Sequence, residues 1–309
     1  MWRLICRRLL QAVPVLLVIS LLTFLMVRLA PGDPFADERR MPEDIRARLA
    51  ACYGFDQPLW KQYLQHMTHL LRGDLPSFRH PDRTVNEVIA AAFPVSLELG
   101  AYALLVALAL GLPAGIIAAV RRNTAWDHVP MALAMSGICL PSFVLGPLLI
   151  LAFALTLGWV NPMGWEHPSD RILPALTLGL YYAAYIARLA RGGMLEILSQ
   201  DFMRTARAKG LPGWQVVVRH GLRGGLLPVV TYLGPAVAGL LTGSFAVETI
   251  FFIPGLGRFF VTAAFNRDYT MVLGTVMFYA VLIVLLNLAV DVVHLWLDPR
   301  LRDGRTAQP

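Results

Sequence analysis

The chain has 309 residues, of which 57% are hydrophobic and only 15% are charged. A soluble domain carries about a quarter charged residues, so this composition excludes an ordinary soluble globular protein and indicates an integral membrane protein. The net charge of +7 requires no nucleic-acid partner, because arginines that flank membrane spans on the cytoplasmic side also produce it.

Six apolar segments are long enough to cross a bilayer, which takes about 20 residues of helix. They lie at 9–29, 94–119, 129–157, 172–190, 226–250 and 271–297. The sequence therefore predicts an all-α membrane protein with six transmembrane helices. The first segment is similar to a secretory signal, but its uncharged run from Leu9 to Val27 is longer than a signal's apolar core, so we expect an uncleaved span.

The largest excursion between spans is segment 30–93, which is predicted to form two short helices. Pro42 and Pro58 suit first-turn positions, and Gly54 and Gly73 suit the left-handed positions that end helices. The second helix carries one apolar stripe. Its members are Leu59, Trp60, Tyr63, Leu64, Met67, Leu70 and Leu71. We expect the stripe to pack on the membrane bundle, and the alternative is a docking surface for an external partner.

Two later loops are rich in turn-forming residues. In the loop before the fourth segment, Trp159 and Trp165 suit the aromatic belt at a membrane interface. The stretch FFIPGLGRFF at 251–260 favours a surface turn over a re-entrant turn.

The stretch DFMRTARAKGLP at 201–212 interrupts the apolar pattern with a compact basic segment. Its composition predicts a helix up to Ala208, a stop at Gly210 and a second helix that opens at Pro212. Its cations cannot lie in lipid, since a charge at the bilayer centre costs about 2.5 kcal/mol or more, so they face water, headgroups or a partner. Charge alone favours headgroup contact, whereas the small Ala206 and Ala208 would let the helix enter a groove on a partner.

The orientation follows from the positive residues of the short loops. One side of the membrane carries Arg3, Arg7, Arg8, Arg121, Arg122, Arg191, Arg204, Arg207, Lys209, Arg219, Arg223, Arg300, Arg302 and Arg305. The short loops of the other side carry only Arg171, Arg258 and Arg267. Both termini are therefore predicted to be cytoplasmic and segment 30–93 external. This topology separates Cys6, Cys52 and Cys139, which predicts neither a disulfide among them nor a metal site.

Several motifs, in order along nearly the whole chain, carry a family resemblance. They include LLTFLMVRLAPGDP, YGFDQPLWKQYLQHMTHLLRGDL, RLARGGMLEILSQDF, DFMRTARAKGL, ETIFFIPGLGRFFVTAAFNRDYTMV and NLAVDVVHLWLDPRLR. The sequence resembles the permease subunits of ATP-binding-cassette (ABC) importers, in the dipeptide, oligopeptide and nickel branch. The basic stretch looks like that family's cytoplasmic "EAA" loop, although Arg204 and Thr205 stand where the wider superfamily has Glu-Ala.

The resemblance implies a type I ABC importer permease in the bacterial inner membrane. It implies a homologous second permease, two ABC ATPase subunits and an external solute-binding protein as partners. The implied ATPase-coupling residues, in a loop near 194–224, are Asp201, Arg204, Thr205, Ala206, Arg207, Lys209 and Gly210. Weaker candidates for external contact are Trp60, Gly73, Asp74, Pro254, Gly255, Gly257 and Arg258. We expect a first span with an external segment at 1–92, a transmembrane domain at 93–300 and a tail at 301–309.

The chain is not predicted to be an enzyme or to bind a cofactor. Its two lysines, Lys61 and Lys209, do not stand in a phosphate-binding G-x-x-x-x-G-K-[ST] motif, so ATP and Mg would be used by partner subunits. Asp291 and His294 share a helix face, which is more typical of a local hydrogen bond than of an acid–base or metal site.

The alternative function is an ion-coupled secondary transporter without an ATPase. Such carriers place ionisable groups near the membrane midplane. Glu98, Arg188, Glu248 and Asp291 all lie within a few turns of a span end, where snorkelling or capping explains them, and no inverted repeat is evident. The sequence therefore disfavours this alternative. Cargo identity cannot be predicted from these residues.

Overall fold

The computed structural model describes residues 2–29, 57–77, 83–242 and 244–297, with side chains from residue 5 and up to residue 292. Within these ranges all regular secondary structure is helical, apart from one isolated antiparallel β-bridge between Pro76 and Thr84. The all-α prediction is therefore confirmed.

The α-helices of the described residues are numbered here in chain order. They are α1 (Trp2–Leu29), α2 (Leu59–Arg72), α3 (Val85–Val120), α4 (Ala125–Cys139), α5 (Ser142–Leu149), α6 (Ile172–Leu198), α7 (Asp201–Ala208), α8 (Gly213–Gln215), α9 (Leu222–Gly225), α10 (Leu227–Thr242), α11 (Phe245–Ile250), α12 (Leu256–Phe265) and α13 (Tyr269–Leu297). Two π-helical segments, Ile150–Thr156 and Val216–Gly221, continue α5 and α8, and a 3-10 turn, Pro168–Arg171, precedes α6.

Five stretches of the described residues are helical, long and apolar enough to cross a membrane alone. They are Ile5–Leu29, Val85–Val120, Pro168–Leu198, Leu227–Ile250 and Tyr269–Val292. They match five of the six predicted spans, although the second begins earlier than predicted. The remaining segment is a pair of helical stretches, Ala125–Cys139 and Ser142–Thr156, bent by 109°. Counting this pair as one span gives six.

The break in this pair lies at Leu140 and Pro141, where the backbone is extended. Proline has no N–H to continue the helical ladder, and it restricts the preceding residue to extended conformations. Pro141 therefore ends α4 and starts α5. The bend is sharp enough to make two separate helices.

The chain divides into two compact units, one formed by Met1–Pro94 with Gly255–Leu288, and one formed by Val95–Pro254 with Ala289–Pro309. In the first unit, the hydroxyl groups of Ser20 and Tyr63 share a hydrogen bond of 2.7 Å, which joins α1 to α2. The core of this unit includes Leu75, Val85 and Leu256, all fully buried. These contacts give α1 and the second external helix a common packing unit.

In the second unit, α3 and α6 approach each other through small residues. Ala103, Ala107, Gly111 and Gly115 recur every four residues on α3, and Gly179, Ala183 and Ala187 do so on α6. A Cβ on Gly111 would come within 2.6 Å of the Ala183 carbonyl oxygen, and one on Gly179 within 2.7 Å of the Ala103 carbonyl oxygen. Small residues at such spacing let membrane helices pack backbone to backbone.

The external segment is described only in part. The first predicted helix, with Pro42 and Gly54, lies outside the described residues. The second is α2, which ends as predicted at Gly73 with a φ of +79°. The apolar stripe does not pack as a whole: Tyr63 and Leu70 face the unit's interior, whereas Trp60, Leu64 and Leu71 are exposed. The domain boundaries proposed from the sequence stay a prediction.

Candidate functional site

The candidate site is the basic loop, residues 194–224, which comprises the end of α6, all of α7 and α8, and the segment that leads to α9. α7 has two distinct faces. Met203 and Ala206 are buried on its inner face, where they pack with Val216 from the returning segment. Because apolar contacts hold this face, α7 is a folded element attached to α6 rather than an unstructured charged loop.

The outer face of α7 gathers most of the predicted coupling residues. Asp201, Arg204, Thr205, Arg207 and Lys209 are all exposed. Arg204 Nη1 lies 3.5 Å from Asp201 Oδ1, an ion pair open to solvent that contributes little stability. The structure thus leaves these five residues accessible to a partner. Ala206 is the exception among the predicted coupling residues, because it lies in the loop's own core.

The corner after α7 depends on Gly210. Its φ is +79°, and its N–H donates to the Arg207 carbonyl at 3.0 Å. A Cβ at this position would meet nothing within 4 Å, so glycine is required by the left-handed backbone and not by lack of space. Pro212 then precedes α8, as the sequence predicts.

The returning segment is locked to α6 by two glycines. A Cβ on Gly193 would overlap the carbonyl oxygen of Gly225, and a Cβ on Gly225 would overlap the sulfur of Met194. Both glycines are buried. This contact was not predicted from the sequence, although the Gly-Gly pairs in RGGM and RGGL were a usable signal.

Two residues before Gly193, Arg191 forms an ion pair that joins α6 to the start of α4. Arg191 Nε donates to Asp127 Oδ1 at 2.6 Å, and Arg191 Nη2 donates to Asp127 Oδ2 at 2.9 Å. The backbone N–H of Asn123 also donates to Asp127 Oδ2, at 3.0 Å. The Asp127 side chain is 1% exposed, so the guanidinium and one amide replace its water shell. The ion pair between Asp127 and Arg191 was not predicted from the sequence.

Comparison with known proteins adds a family to this geometry. Residues 111–303 match the family described as binding-protein-dependent transport system inner membrane component, and residues 1–99 match the N-terminal family of the same membrane components. The chain belongs to this family. It is therefore a multi-pass inner-membrane permease component, as the motif resemblance implied.

Similar proteins cover almost the entire chain. It is 46% identical to the oligopeptide transport system permease protein OppB of Salmonella typhimurium, over 98% of this chain and 100% of that protein. It is 42% identical to the dipeptide transport system permease protein DppB of Bacillus subtilis, over 93% and 94% of the two chains. It is 41% identical to the glutathione transport system permease protein GsiC of Salmonella choleraesuis, over 96% and 98%.

Solved structures support the fold. A structure titled as inward facing conformations of the MetNI methionine ABC transporter aligns with a TM-score of 0.57 and 19% identity. It covers 67% of this chain and 94% of that one. A crystal structure of an amino acid ABC transporter with histidines gives a TM-score of 0.55 at 16% identity. The type I ABC importer permease fold predicted from the motifs is thereby supported.

The external-contact candidates of this permease differ in accessibility. Trp60 is 65% exposed, Asp74 is exposed and lies 3.0 Å from His69 Nδ1, and Pro254 is exposed. Gly73 and Arg258 are half-buried. By contrast, Gly255 and Gly257 are buried, so direct contact with a partner would need the backbone to open.

Two of the ionisable residues inside the spans of this permease, Glu98 and Glu248, have local hydrogen-bond partners. Arg171 Nε donates to Glu98 Oε1 at 2.7 Å, and Trp165 Nε1 donates to Glu98 Oε2 at 3.3 Å. Glu248 is fully buried and accepts a hydrogen bond from Ser244, so it does not snorkel. Asp291 is half-buried, and the His294 side chain lies outside the described set. No group of three or more potential metal ligands occurs within the described ranges.

Proposed function

We propose that this permease is one of two membrane-spanning subunits of an ATP-driven importer of peptides or similar small solutes. The relatives named above are permeases of oligopeptide, dipeptide and glutathione transport systems, and these cargoes are all short peptides. Identity above 40% over nearly the full length supports a cargo of the same chemical class.

The observation that carries the coupling proposal is the one-sided structure of α7. Its outer face offers charged and hydroxyl groups from Asp201, Arg204 and Thr205, while its inner face is fixed by Met203 and Ala206. A loop that served only to retain positive charge would need neither a buried face nor a glycine corner. We infer that the outer face docks on a separate ATPase subunit, with Arg207 and Lys209 at the same surface and Ala206 in a supporting role.

The loop is built to transmit a displacement. Met203 of α7 packs in one apolar cluster with Ile197 at the end of α6, and the backbones of α6 and α9 touch at Gly193 and Gly225, so a displacement of α7 would be passed to both helices. Movement of two helices that continue into spans fits rigid-body rocking, in which a packed element moves as a whole. Closure of the ATPases on ATP would pull the outer face of α7 and reorient the spans.

ATP must come from other chains, because this sequence has no phosphate-binding lysine motif. The permease is accordingly proposed to have no ATPase site of its own and to bind no cofactor, with ATP and Mg held by two partner ATPases. ATP reorients the spans only if it binds the closed state better than the open one. A homologous second permease would complete the path, and an external binding protein would deliver cargo near Trp60, Asp74 and Pro254.

The corner residue gives the sharpest test of coupling. Gly210→Asp places a side chain at a φ of +79°, which costs about 1–2 kcal/mol for an L-residue and distorts the end of α7. Gly213→Asp is the matched control, since it adds the same charge three residues later without positive φ and also has open space around its Cβ. In the reconstituted complex, Gly210→Asp should hydrolyse ATP while losing most peptide uptake, and Gly213→Asp should retain both.

Two results would contradict the proposal. One is equal uptake per ATP hydrolysed in Gly210→Asp, Gly213→Asp and the unmodified permease. The other is a failure of Thr205→Cys, on the outer face of α7, to crosslink to any ATPase subunit in intact membranes that import peptide.

A further inference from the structure

An open cleft of about 400 Å³ lies between α4 and α6, on the side of α6 that carries Arg188 and Arg191. Met131, Met135 and Ala184 contribute apolar lining, and Asp127 also lines it. The volume is within the range of small-molecule sites, which is about 300–1,000 Å³. The cleft lies entirely within the second compact unit.

Of the two arginines that line the cleft, only Arg191 is paired with a carboxylate among the described residues. Arg191 is engaged by both oxygens of Asp127. Arg188, one turn earlier, has its guanidinium carbon 5.2 Å from the centre of the Tyr185 ring. Within the part of the chain that the structure describes, Arg188 forms no ion pair. The cleft therefore presents an exposed cation to whatever enters it.

The arginine continues into a row of aromatic rings. The centres of the Tyr185 and Tyr181 rings are 5.1 Å apart, and Tyr232 of α10 stacks on Tyr185 at 5.8 Å with an angle of 21°. Tyr181, Tyr185 and Arg188 are spaced at i, i+4 and i+7, so they share one face of α6. We call these four residues the tyrosine–arginine stripe: Tyr181, Tyr185, Arg188 and Tyr232.

Lipid is a poor neighbour for this stripe. Arg188 is exposed and Tyr181 is 37% exposed, on a helix long and apolar enough to span the membrane. A charged group on the lipid-facing side of a span costs several kcal/mol, so such groups usually face a bundle interior or a water-filled cavity. Arg188 lies near the end of its predicted span, where snorkelling also satisfies its charge, but the open cleft beside it favours an aqueous path or a partner in the assembled transporter.

We propose that the stripe and its cleft form a cargo-contacting surface of the translocation path, where Arg188 binds the C-terminal carboxylate of a passing peptide. This inference rests on the proposed import of peptides. Peptides of different sequence share that carboxylate, and a guanidinium fork matches it with two parallel hydrogen bonds. Tyrosine rings and the flexible Met131 and Met135 can adapt to varied side chains, as promiscuous binding surfaces do.

The test removes the charge of Arg188 and changes the carboxylate of the cargo. A peptide that the unmodified importer accepts with either a free or an amidated C terminus is supplied to the reconstituted complex. Arg188→Gln should lower uptake of the free acid about 10-fold or more, the effect of losing a hydrogen bond to a charged group, and leave the amide nearly unchanged. Arg188→Lys should restore part of the free-acid uptake. The uptake by each variant is divided by the uptake of the unmodified permease for the same peptide. The preference of the binding protein for one peptide over the other therefore does not affect the comparison.

The controls separate this inference from the proposed function. Arg223→Gln removes an exposed arginine of the basic loop and should not discriminate between acid and amide. An equal loss of both peptides in Arg188→Gln would overturn the carboxylate assignment, and so would loss of a co-purifying second permease, which would make the stripe a subunit interface. Absence of peptide uptake by the unmodified complex would instead contradict the proposed function itself.

Discussion

At the scale of single residues, the Asp127–Arg191 pair is a tightly constrained interaction near the basic loop. The carboxylate is almost completely removed from solvent and receives two guanidinium N–H groups. Losing one partner of such a pair leaves a buried charge without compensation, which typically costs about 3–5 kcal/mol. The pair thereby fixes the start of α4 against α6, next to the stretch that leads into the basic loop.

Arg191→Lys should destabilise the permease while keeping the charge. A lysine ammonium cannot reproduce the two-point contact with both Asp127 oxygens, so the free energy of unfolding should fall by about 1.5–3 kcal/mol, the value of one charged hydrogen bond. Thermal unfolding of the purified permease in detergent measures the change. Arg223→Lys, at an exposed arginine, is the control, and equal unfolding temperatures for the two variants would contradict the assignment.

At the scale of helices, the sequence predicted where most elements lie but not which faces touch. Gly73 and Gly210 were correctly assigned to left-handed positions, because glycine at a helix end is a local signal. The burial of Ala206 and the small-residue contact of α3 with α6 depend on a second element, and a single sequence does not say which partner a face meets. The sequence predicted one continuous span at 129–157 and not the break at Pro141, since proline in a span is compatible with both a kink and a separation.

The adjacent pair Gly192 and Gly193 provides an element-scale prediction. A Cβ on Gly192 meets nothing within 4 Å, whereas one on Gly193 overlaps the backbone of α9. Gly193→Ala should cost about 1–3 kcal/mol of stability through overpacking and lower the uptake obtained per ATP. Gly192→Ala should be neutral or stabilising, because alanine favours a helix by up to about 1 kcal/mol. Unfolding temperatures and coupled uptake assays compare them, and similar losses in both variants would refute the backbone contact.

At the scale of the whole molecule, two ion pairs indicate that the bent pair α4–α5 crosses the membrane. Arg191, towards the end of α6, contacts Asp127 at the start of α4, whereas Arg171, just before α6, contacts Glu98, which lies 22 residues before the end of α3. If the bent pair returned to the side where it started, α6 would run in the opposite direction and neither contact could form. The pair therefore counts as one span, in agreement with the six predicted from hydropathy.

Counting the bent pair as one span places the two lysines of the chain on opposite sides of the membrane. Lys61 follows one span and Lys209 follows four, and both are exposed. A membrane-impermeant amine reagent should modify Lys61 only in right-side-out vesicles and Lys209 only in inverted ones, as peptide mass spectrometry would reveal. Detergent-solubilised permease, with both lysines accessible, is the control. Labelling of both lysines from the same face would mean that the bent pair does not cross.

The separation of α4 from α5 also leaves one backbone carbonyl without its usual helical hydrogen-bond donor. Pro141 has no N–H to offer the carbonyl of Gly137, four residues earlier, so that oxygen needs another donor. A helix of 15 residues extends only about 22 Å, less than the hydrocarbon thickness of about 30 Å. A helix that starts at one membrane surface would thus place the Gly137 carbonyl well below the other surface. There a neighbouring subunit, a water molecule or the amide of a transported peptide can donate a hydrogen bond to it.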